Sequence, residues 1–343
     1  MTRRRTHVEG GAGQWRSRAL TGRRGAAVAA VAGTGALVAG LLLVPSAGPG
    51  AGGPARAAGS GGTAHASGVS ASKDCTNDEL YKSVPPSTAE GPTIKDIKTR
   101  TDKPNRLIVG VDQNSYRWGF RNPQTNDLEG FDIDLVRRIA KEVLGDEKAV
   151  AFKTIPTNQR IAAIQNGDVD MVVRTMTITC ERLADVAFST VYFETGQQLL
   201  VPQGSPITGY DDSLKGRRLC SAENSTALGE LKKKSFGADI RTQVPNQLDC
   251  LVRLQLGQVD GVVTDSALAA GQAAQDPAVH LVGSPFTKEY YGIAMKKDAT
   301  DLVARVNRVL EDYRKSGWSA SYDKWLAADL GGGAKPPGPE VSP

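Results

Sequence analysis

Histidine is nearly missing from this 343-residue chain, with three copies in all and only His280 beyond residue 73. Cysteine is scarce too: Cys75, Cys180, Cys220 and Cys250 are the whole complement, and no two stand at a C-x-x-C spacing. These absences argue against a zinc site, and no metal or cofactor is expected. They also leave no visible nucleophile–base pair, so the chain reads as a binder and not an enzyme. A basic groove is lacking as well. Residues 1–73 hold nine Lys or Arg against one acid, a surplus of eight; set against a whole-chain charge of +5, the remainder carries −3. Nucleic-acid partners need a concentrated basic face, and none is expected here.

What the leader does contain is directional. Arg3, Arg4, Arg5, Arg16, Arg18, Arg23 and Arg24 precede an uncharged Ala/Gly/Val/Leu run over 25–44, which is the layout of an export signal. The run is long enough to span a bilayer, and Ala55-Arg56-Ala57 offers a distant cleavage site, so residues 1–44 are an export signal or a signal anchor. The sequence after Arg23-Arg24 lacks the flanking pattern of twin-arginine export, and Cys75 is too remote for a lipid anchor. Gly, Ala, Pro and Ser dominate the stretch that follows, making 45–73 a flexible linker, and GGGAKPPGPEVSP over 331–343 reads as a disordered tail. The protein is expected outside the cytoplasm, secreted or tethered by its N-terminal segment.

Inside the body one phrase occurs twice: GDVDMVV from Gly167 and GQVDGVV from Gly257. Each follows helix-spaced apolar residues (Ile161 and Ile164; Leu251 and Leu254), then a glycine that ends the helix, then valine-rich alternation that predicts a strand at 169–173 and again at 259–263. Two lobes of one helix-turn-strand plan follow. Further strands are predicted at 107–111, 150–153, 197–201 and 217–220, with helices over 93–100, 226–234 and 247–256. Asp132 and Asp134 open a helix, where carboxylates complement the dipole and are not read as metal ligands. Leu302, Val306, Val309, Leu310 and Tyr313 share a helix face, and Trp318, Tyr322 and Trp325 read as packing.

The chemistry past the two copies differs: Arg174, Thr175, Thr177 and Arg182 after the first, Thr264 and Asp265 after the second. In open α/β sheets ligands sit beyond the carboxyl ends of the strands. One lobe then offers cations and donors while the other offers a carboxylate, and a zwitterion fits between them. Four cysteines in an exported chain allow three disulfide connectivities. Cys220 and Cys250 fall in the second lobe, so pairing them leaves Cys75 to join the N-terminal extension to Cys180.

The segments LIVGVD (107–112), GFDIDL (130–135), NGDVDMVV (166–173), TMTITCERLADVAFSTVYF (175–193), QVDGVVTD (258–265), YYGIAMKKD (290–298) and GWSASYDKW (317–325), in this order and spacing, resemble the polar-amino-acid solute-binding proteins of ABC transporters. The resemblance covers about 106–327. It implies an α/β, two-lobed periplasmic-binding-protein-like fold with two hinge strands, near 199–202 and 290–293. The first lobe is then 74–199 with 293–330, and the second 200–292.

Carried over by position, Arg182 clamps the ligand α-carboxylate with Thr177 and the backbone around Thr175, and Asp265 takes the α-ammonium. The loop 221–226, with Ser225 and Thr226 before a helix, supplies an anion cradle, although SAENST lacks the glycine common in the family. Arg160 resembles the arginine that acidic-amino-acid binders direct at a distal carboxylate, and Arg174 adds a second cation. Asp112 in the same cleft could neutralise an arginine or favour an amide, while Thr157 stands where glutamine binders often place an aromatic platform. The resemblance implies a monomer that captures glutamate or aspartate ahead of glutamine or asparagine and delivers it to an ABC permease. Signalling to a membrane partner and a cyclohexadienyl-dehydratase-like activity are the alternatives.

Overall fold

The computed structural model describes Cys75 and residues 80–339. The expected export signal (1–44), the linker (45–73) and residues 340–343 lie outside the described residues.

The two copies of the repeat build the same corner in two different sheets. Helix Arg160–Gln165 runs on to Gly167 at φ 73°, and helix Gln247–Gln255 to Gly257 at φ 66°, left-handed turns that glycine makes without a Cβ clash. The acid in the fourth place of each copy explains why the phrase is repeated. Asp170 accepts the Ile108 backbone N–H at 2.7 Å and Asp260 accepts that of Arg218 at 2.7 Å, each from the neighbouring strand. An arginine holds each acid as well, Arg100 at 2.6 Å and Arg218 at 2.6 Å. The repeat is therefore strand-locking grammar.

In the first lobe the sheet order is Val150–Thr154, Leu107–Val111, Met171–Val172, Ala294–Met295, Ala187–Phe188. The first three strands are parallel, and Ala294–Met295 is antiparallel to both of its neighbours, so it alone opposes the other four. The second lobe repeats the plan as Asp239–Val244, Arg218–Ala222, Gly261–Asp265, Gln197–Pro202, Val279–Val282, again with the fourth strand alone opposed to the rest. The strand expected at 169–173 is confined to Met171–Val172. Helix Phe131–Leu144 ends at Gly145 in the left-handed conformation and buries Phe131, Leu135, Val136, Ile139 and Val143. Helix Thr300–Ser316 buries the expected stripe of Leu302, Val306, Val309, Leu310 and Tyr313. Trp318 stacks on Tyr322 at 5.0 Å and donates its indole N–H to the Tyr192 carbonyl at 2.8 Å, so these aromatics are core.

The crossing between lobes corrects one expectation. Residues 199–202 are not a hinge: they lie inside strand Gln197–Pro202, hydrogen-bonded on both edges within the second-lobe sheet. The chain crosses earlier, where Phe193–Thr195 pairs antiparallel with Glu289–Tyr291. There the backbones of the two crossings come so close that a Cβ on Gly196 would stand 2.0 Å from the Thr287 carbonyl. The tail expected to be disordered from 331 is held at two points, the Tyr322 hydroxyl donating to the Gly331 carbonyl and Arg314 Nε to the Pro337 carbonyl. Both expected disulfides are present, Cys75–Cys180 and Cys220–Cys250, with Cα separations of 5.7 and 5.5 Å.

Candidate functional site

The carboxyl ends of the central strands of both sheets face one cleft, and three arginines of the first lobe enter it. Helix Cys180–Asp185 is capped by Thr179, whose Oγ1 accepts the Arg182 N–H at 3.2 Å. The Arg182 guanidinium then donates back to the Thr177 carbonyl at 2.6 Å and across to the Asn224 carbonyl of the second lobe at 2.9 Å. Arg160 donates Nε to the Thr157 carbonyl at 3.1 Å and Nη1 to the Arg174 carbonyl at 3.4 Å. Among the described residues neither Arg160 nor Arg182 makes an ion pair. Burial holds the Arg160 pKa well below its ordinary value, with the charges of Arg182 and Arg174 adding to it, and burial lowers Arg182 too. A guanidinium does not give up its proton in a protein, so both side chains stay charged in spite of their burial.

Arg174 is differently placed. It ion-pairs with Asp112 at 2.8 Å, with side-chain exposures of 1% and 4%, and donates to Thr157 Oγ1 at 3.0 Å and Asn246 Oδ1 at 2.9 Å. Asp112 also accepts from Ser115 Oγ at 2.7 Å and from Gln247 Nε2 at 3.3 Å, and Gln247 accepts from Thr157 at 2.6 Å. Charge is therefore matched at this end of the cleft, while Arg174 Nε stays buried without a hydrogen-bond partner. Of the two roles expected for Asp112, neutralising an arginine is the one observed, and the second cation, Arg174, is the arginine it balances.

The acidic end has two members. Asp265 closes strand Gly261–Asp265 and precedes helix Ser266–Gln275, but its side chain caps nothing and instead accepts from Gln197 Nε2 at 3.0 Å. Burial first, and then the Glu289 carboxylate, push it up to about 7. Glu289 lies on the hinge strand and reaches a hydroxyl from each lobe, Oε2 accepting from Thr177 at 2.7 Å and from Thr226 at 2.9 Å, while Oε1 accepts from Thr287 at 3.0 Å. With its proton given to Glu289, the Thr177 hydroxyl faces the cleft as an acceptor.

Behind the cleft, Asp132 shapes the loop after the first-lobe strand. Its Oδ2 accepts the Thr175 N–H at 3.1 Å, fixing that threonine at φ 42°, and Oδ1 accepts from the Tyr192 hydroxyl at 3.0 Å. Burial outweighs these bonds and lifts the Asp132 carboxyl to about 7. On the far side, the glycine missing from SAENST is replaced by Asn224, which takes φ 55°. Ser225 Oγ accepts from Leu228 N at 3.1 Å and donates to the Ala222 carbonyl at 2.6 Å, so its hydroxyl serves the helix cap.

Of the sequence-predicted residues, Arg160, Arg174, Thr175, Thr177, Arg182, Ser225, Thr226 and Asp265 all line this cleft, while Asp112 lies behind Arg174. The space left between them is about 20 Å³, room for roughly one water. A wider opening of about 860 Å³ adjoins it and shares Thr157, Arg160, Thr177, Arg182, Ser225 and Thr226 with it. Sequence reasoning missed Glu289 and Gln247; the signal for Glu289 was its place directly before the YYGIA hinge segment.

Residues 107–328 match the family described as bacterial extracellular solute-binding proteins, family 3. The ABC transporter glutamine-binding protein of Bacillus subtilis is 38% identical over 236 residues, 68% of this chain and 86% of that protein. The glutamate-binding protein of Corynebacterium glutamicum is 32% identical, over 65% of this chain and 78% of its own length. Among solved structures, an ancestral arginine-binding protein bound to glutamine superposes with a TM-score of 0.61 at 37% identity, covering 65% of this chain and 98% of that one.

Proposed function

Because the chain belongs to family 3 of the bacterial extracellular solute-binding proteins, we propose that its cleft captures glutamine ahead of glutamate for uptake by an ABC transporter. The coarse activity follows from the family and its relatives: extracytoplasmic amino-acid binding, with a permease as partner and no catalysis. The choice of side chain rests on charge. With Arg174 balanced by Asp112, the groups left facing the cleft are Arg160 and Arg182, formally +2, and Asp265 and Glu289, formally −2. A zwitterion with a neutral side chain leaves that balance at zero, whereas glutamate adds an uncompensated negative charge to a closed, poorly solvated space. This reverses the preference for acidic ligands expected from the sequence.

In this reading Arg182, with Arg160 beside it, takes the α-carboxylate in the planar, forked geometry that suits a guanidinium. Asp265 and Glu289 take the α-ammonium, helped by the acceptor face of Thr177. Thr157, Gln247 and the Arg174–Asp112 pair form the polar wall for the side-chain amide, which needs both a donor and an acceptor. The leader over 1–44, an export signal or a signal anchor, places the binding lobes outside the cytoplasm, secreted or tethered. Glutamate is the second reading, favoured by one observation: Arg160 has no carboxylate partner among the described residues.

Calorimetry on protein unfolded and refolded to strip retained ligand, with glutamine, glutamate, asparagine and aspartate, tests the reading. Glutamine binds tightest if the charge argument holds; tighter binding of glutamate overturns it and assigns Arg160 to the distal carboxylate.

A further inference from the structure

Residues 80–91 precede the family-matched stretch, yet they run to the rim of the cleft. Pro85 and Pro86 keep the segment extended. Its anchors at Ser83, Val84 and Ser87 belong to the first lobe, and the one at Tyr81 to the hinge. Ser83 Oγ donates to the Phe188 carbonyl at 2.7 Å, Asn307 Nδ2 donates to Ser83 Oγ at 2.9 Å and to the Val84 carbonyl at 2.7 Å, and Ser87 N donates to the Ala304 carbonyl at 3.0 Å. Tyr81, 7% exposed, meets the hinge residue Tyr290 edge to face with ring centroids 4.9 Å apart. Just upstream, Cys75 is bonded to Cys180, the first residue of the helix that carries Arg182.

Besides that bond, the helix is held by Gln165 Nε2 donating to Asp185 Oδ1 at 3.3 Å, by Lys297 Nζ donating to the Ala184 carbonyl at 2.8 Å and by the Arg182 contacts described above. It is six residues long and Arg182 is its only buried member, with Leu183 packed partly against the same apolar cluster as Leu80 and Tyr81. A six-residue helix is not stable on its own. Its placement depends on its contacts, and the covalent one lies two residues from the guanidinium.

We propose that residues 80–91 and the Cys75–Cys180 disulfide form a strap whose role is to position Arg182, so that the N-terminal extension sets ligand affinity. The proposal rests on the reading of Arg182 as the carboxylate clamp. Cutting the strap lets the helix move without removing any group that touches the ligand.

The test is a double-mutant cycle on the exported protein with glutamine as the probe, pairing Cys75→Ser/Cys180→Ser with Arg182→Ala. The cysteine variant binds glutamine on the order of ten-fold more weakly, a coupling of ordinary size, and adds no further loss in the Arg182→Ala background. Unchanged affinity, or a loss that adds in full to that of Arg182→Ala, overturns the strap while leaving the clamp standing. Unaltered binding by Arg182→Ala overturns both. Should the cysteine variant fail to fold, selective reduction replaces it: Cys75 and Cys180 are partly exposed whereas Cys220 and Cys250 are fully buried, so dithiothreitol opens the first pair before the second. Protein alkylated only at Cys75 and Cys180 then shows the same loss, and wild-type affinity in that species refutes the proposal.

Discussion

Asp112 and Arg174 meet at 2.8 Å with side-chain exposures of only 4% and 1%, and on the proposed reading this contact tips the cleft toward an amide. Removing one partner of a buried pair leaves an uncompensated charge and costs about 3–5 kcal/mol. Asp112→Asn keeps the shape and removes the charge. It should lower stability to denaturant and shift the glutamate-to-glutamine affinity ratio by about ten-fold toward glutamate, because the acid now supplies the missing anion. A variant that is destabilised but keeps its ligand preference would sever this pair from selectivity.

Arg182 and Asp265 are assigned to opposite ends of one zwitterion. Arg182→Ala and Asp265→Ala should each weaken every amino-acid ligand by about 2–5 kcal/mol, or roughly 30-fold to several thousand-fold, while the proteins stay folded. Arg160→Ala discriminates between the two readings of the side-chain pocket. Equal losses for glutamine and glutamate place Arg160 on the shared carboxylate; a loss confined to glutamate places it on the distal one.

Acid should oppose binding. Asp265 sits at about 7 in the empty cleft against an ordinary 3.8, so between those values the empty folded protein holds a proton that the unfolded chain has released. As regards this group, the empty protein is more stable near pH 5 than near pH 8, and Asp132, also at about 7, adds in the same direction. A bound ammonium draws the Asp265 proton off. Affinity should therefore climb with pH, by at most about ten-fold per unit for one proton, and level off above 7. Calorimetry in buffers of different ionisation enthalpy should register proton release on binding below 7; a flat profile from pH 5 to 8 would count against Asp265 as the ammonium partner.

The second disulfide should matter for stability alone. Cys220 and Cys250 are fully buried and close a loop of sequence separation 30, which chain entropy values at about 3–4 kcal/mol. Cys220→Ala/Cys250→Ala should lower the melting temperature and leave glutamine affinity unchanged. A loss of affinity without a loss of stability would mean that this bond also shapes the site.

Local rules made much of this legible from sequence. Gly167 and Gly257 announced helix ends because the left-handed turn suits no other residue as well, and the valine runs after them announced strands. The cations and the carboxylate of the cleft were found because they follow those strands directly. What stayed hidden depends on partners distant in the chain. Asp112 was open to neutralising an arginine, but nothing in the sequence marks Arg174, 62 residues on, over Arg160 as the one, and nothing near Asp265 marks Glu289 as the second carboxylate that raises it. The hinge was misplaced for a related reason: residues 197–202 are as apolar as a crossing strand, and only pairing with Gly261–Asp265 and Val279–Val282 assigns them to the second sheet.

Glu289 Oε2 takes one hydroxyl from each lobe, Thr177 and Thr226. When the cleft gapes, one of the two must let go, and a hydrogen bond to a charged group is worth about 1.5–3 kcal/mol. The clasp is thus a spring set against opening. Its stiffness governs how readily the lobes part: a stronger clasp slows release of cargo, and a weaker one lets the cleft gape more often.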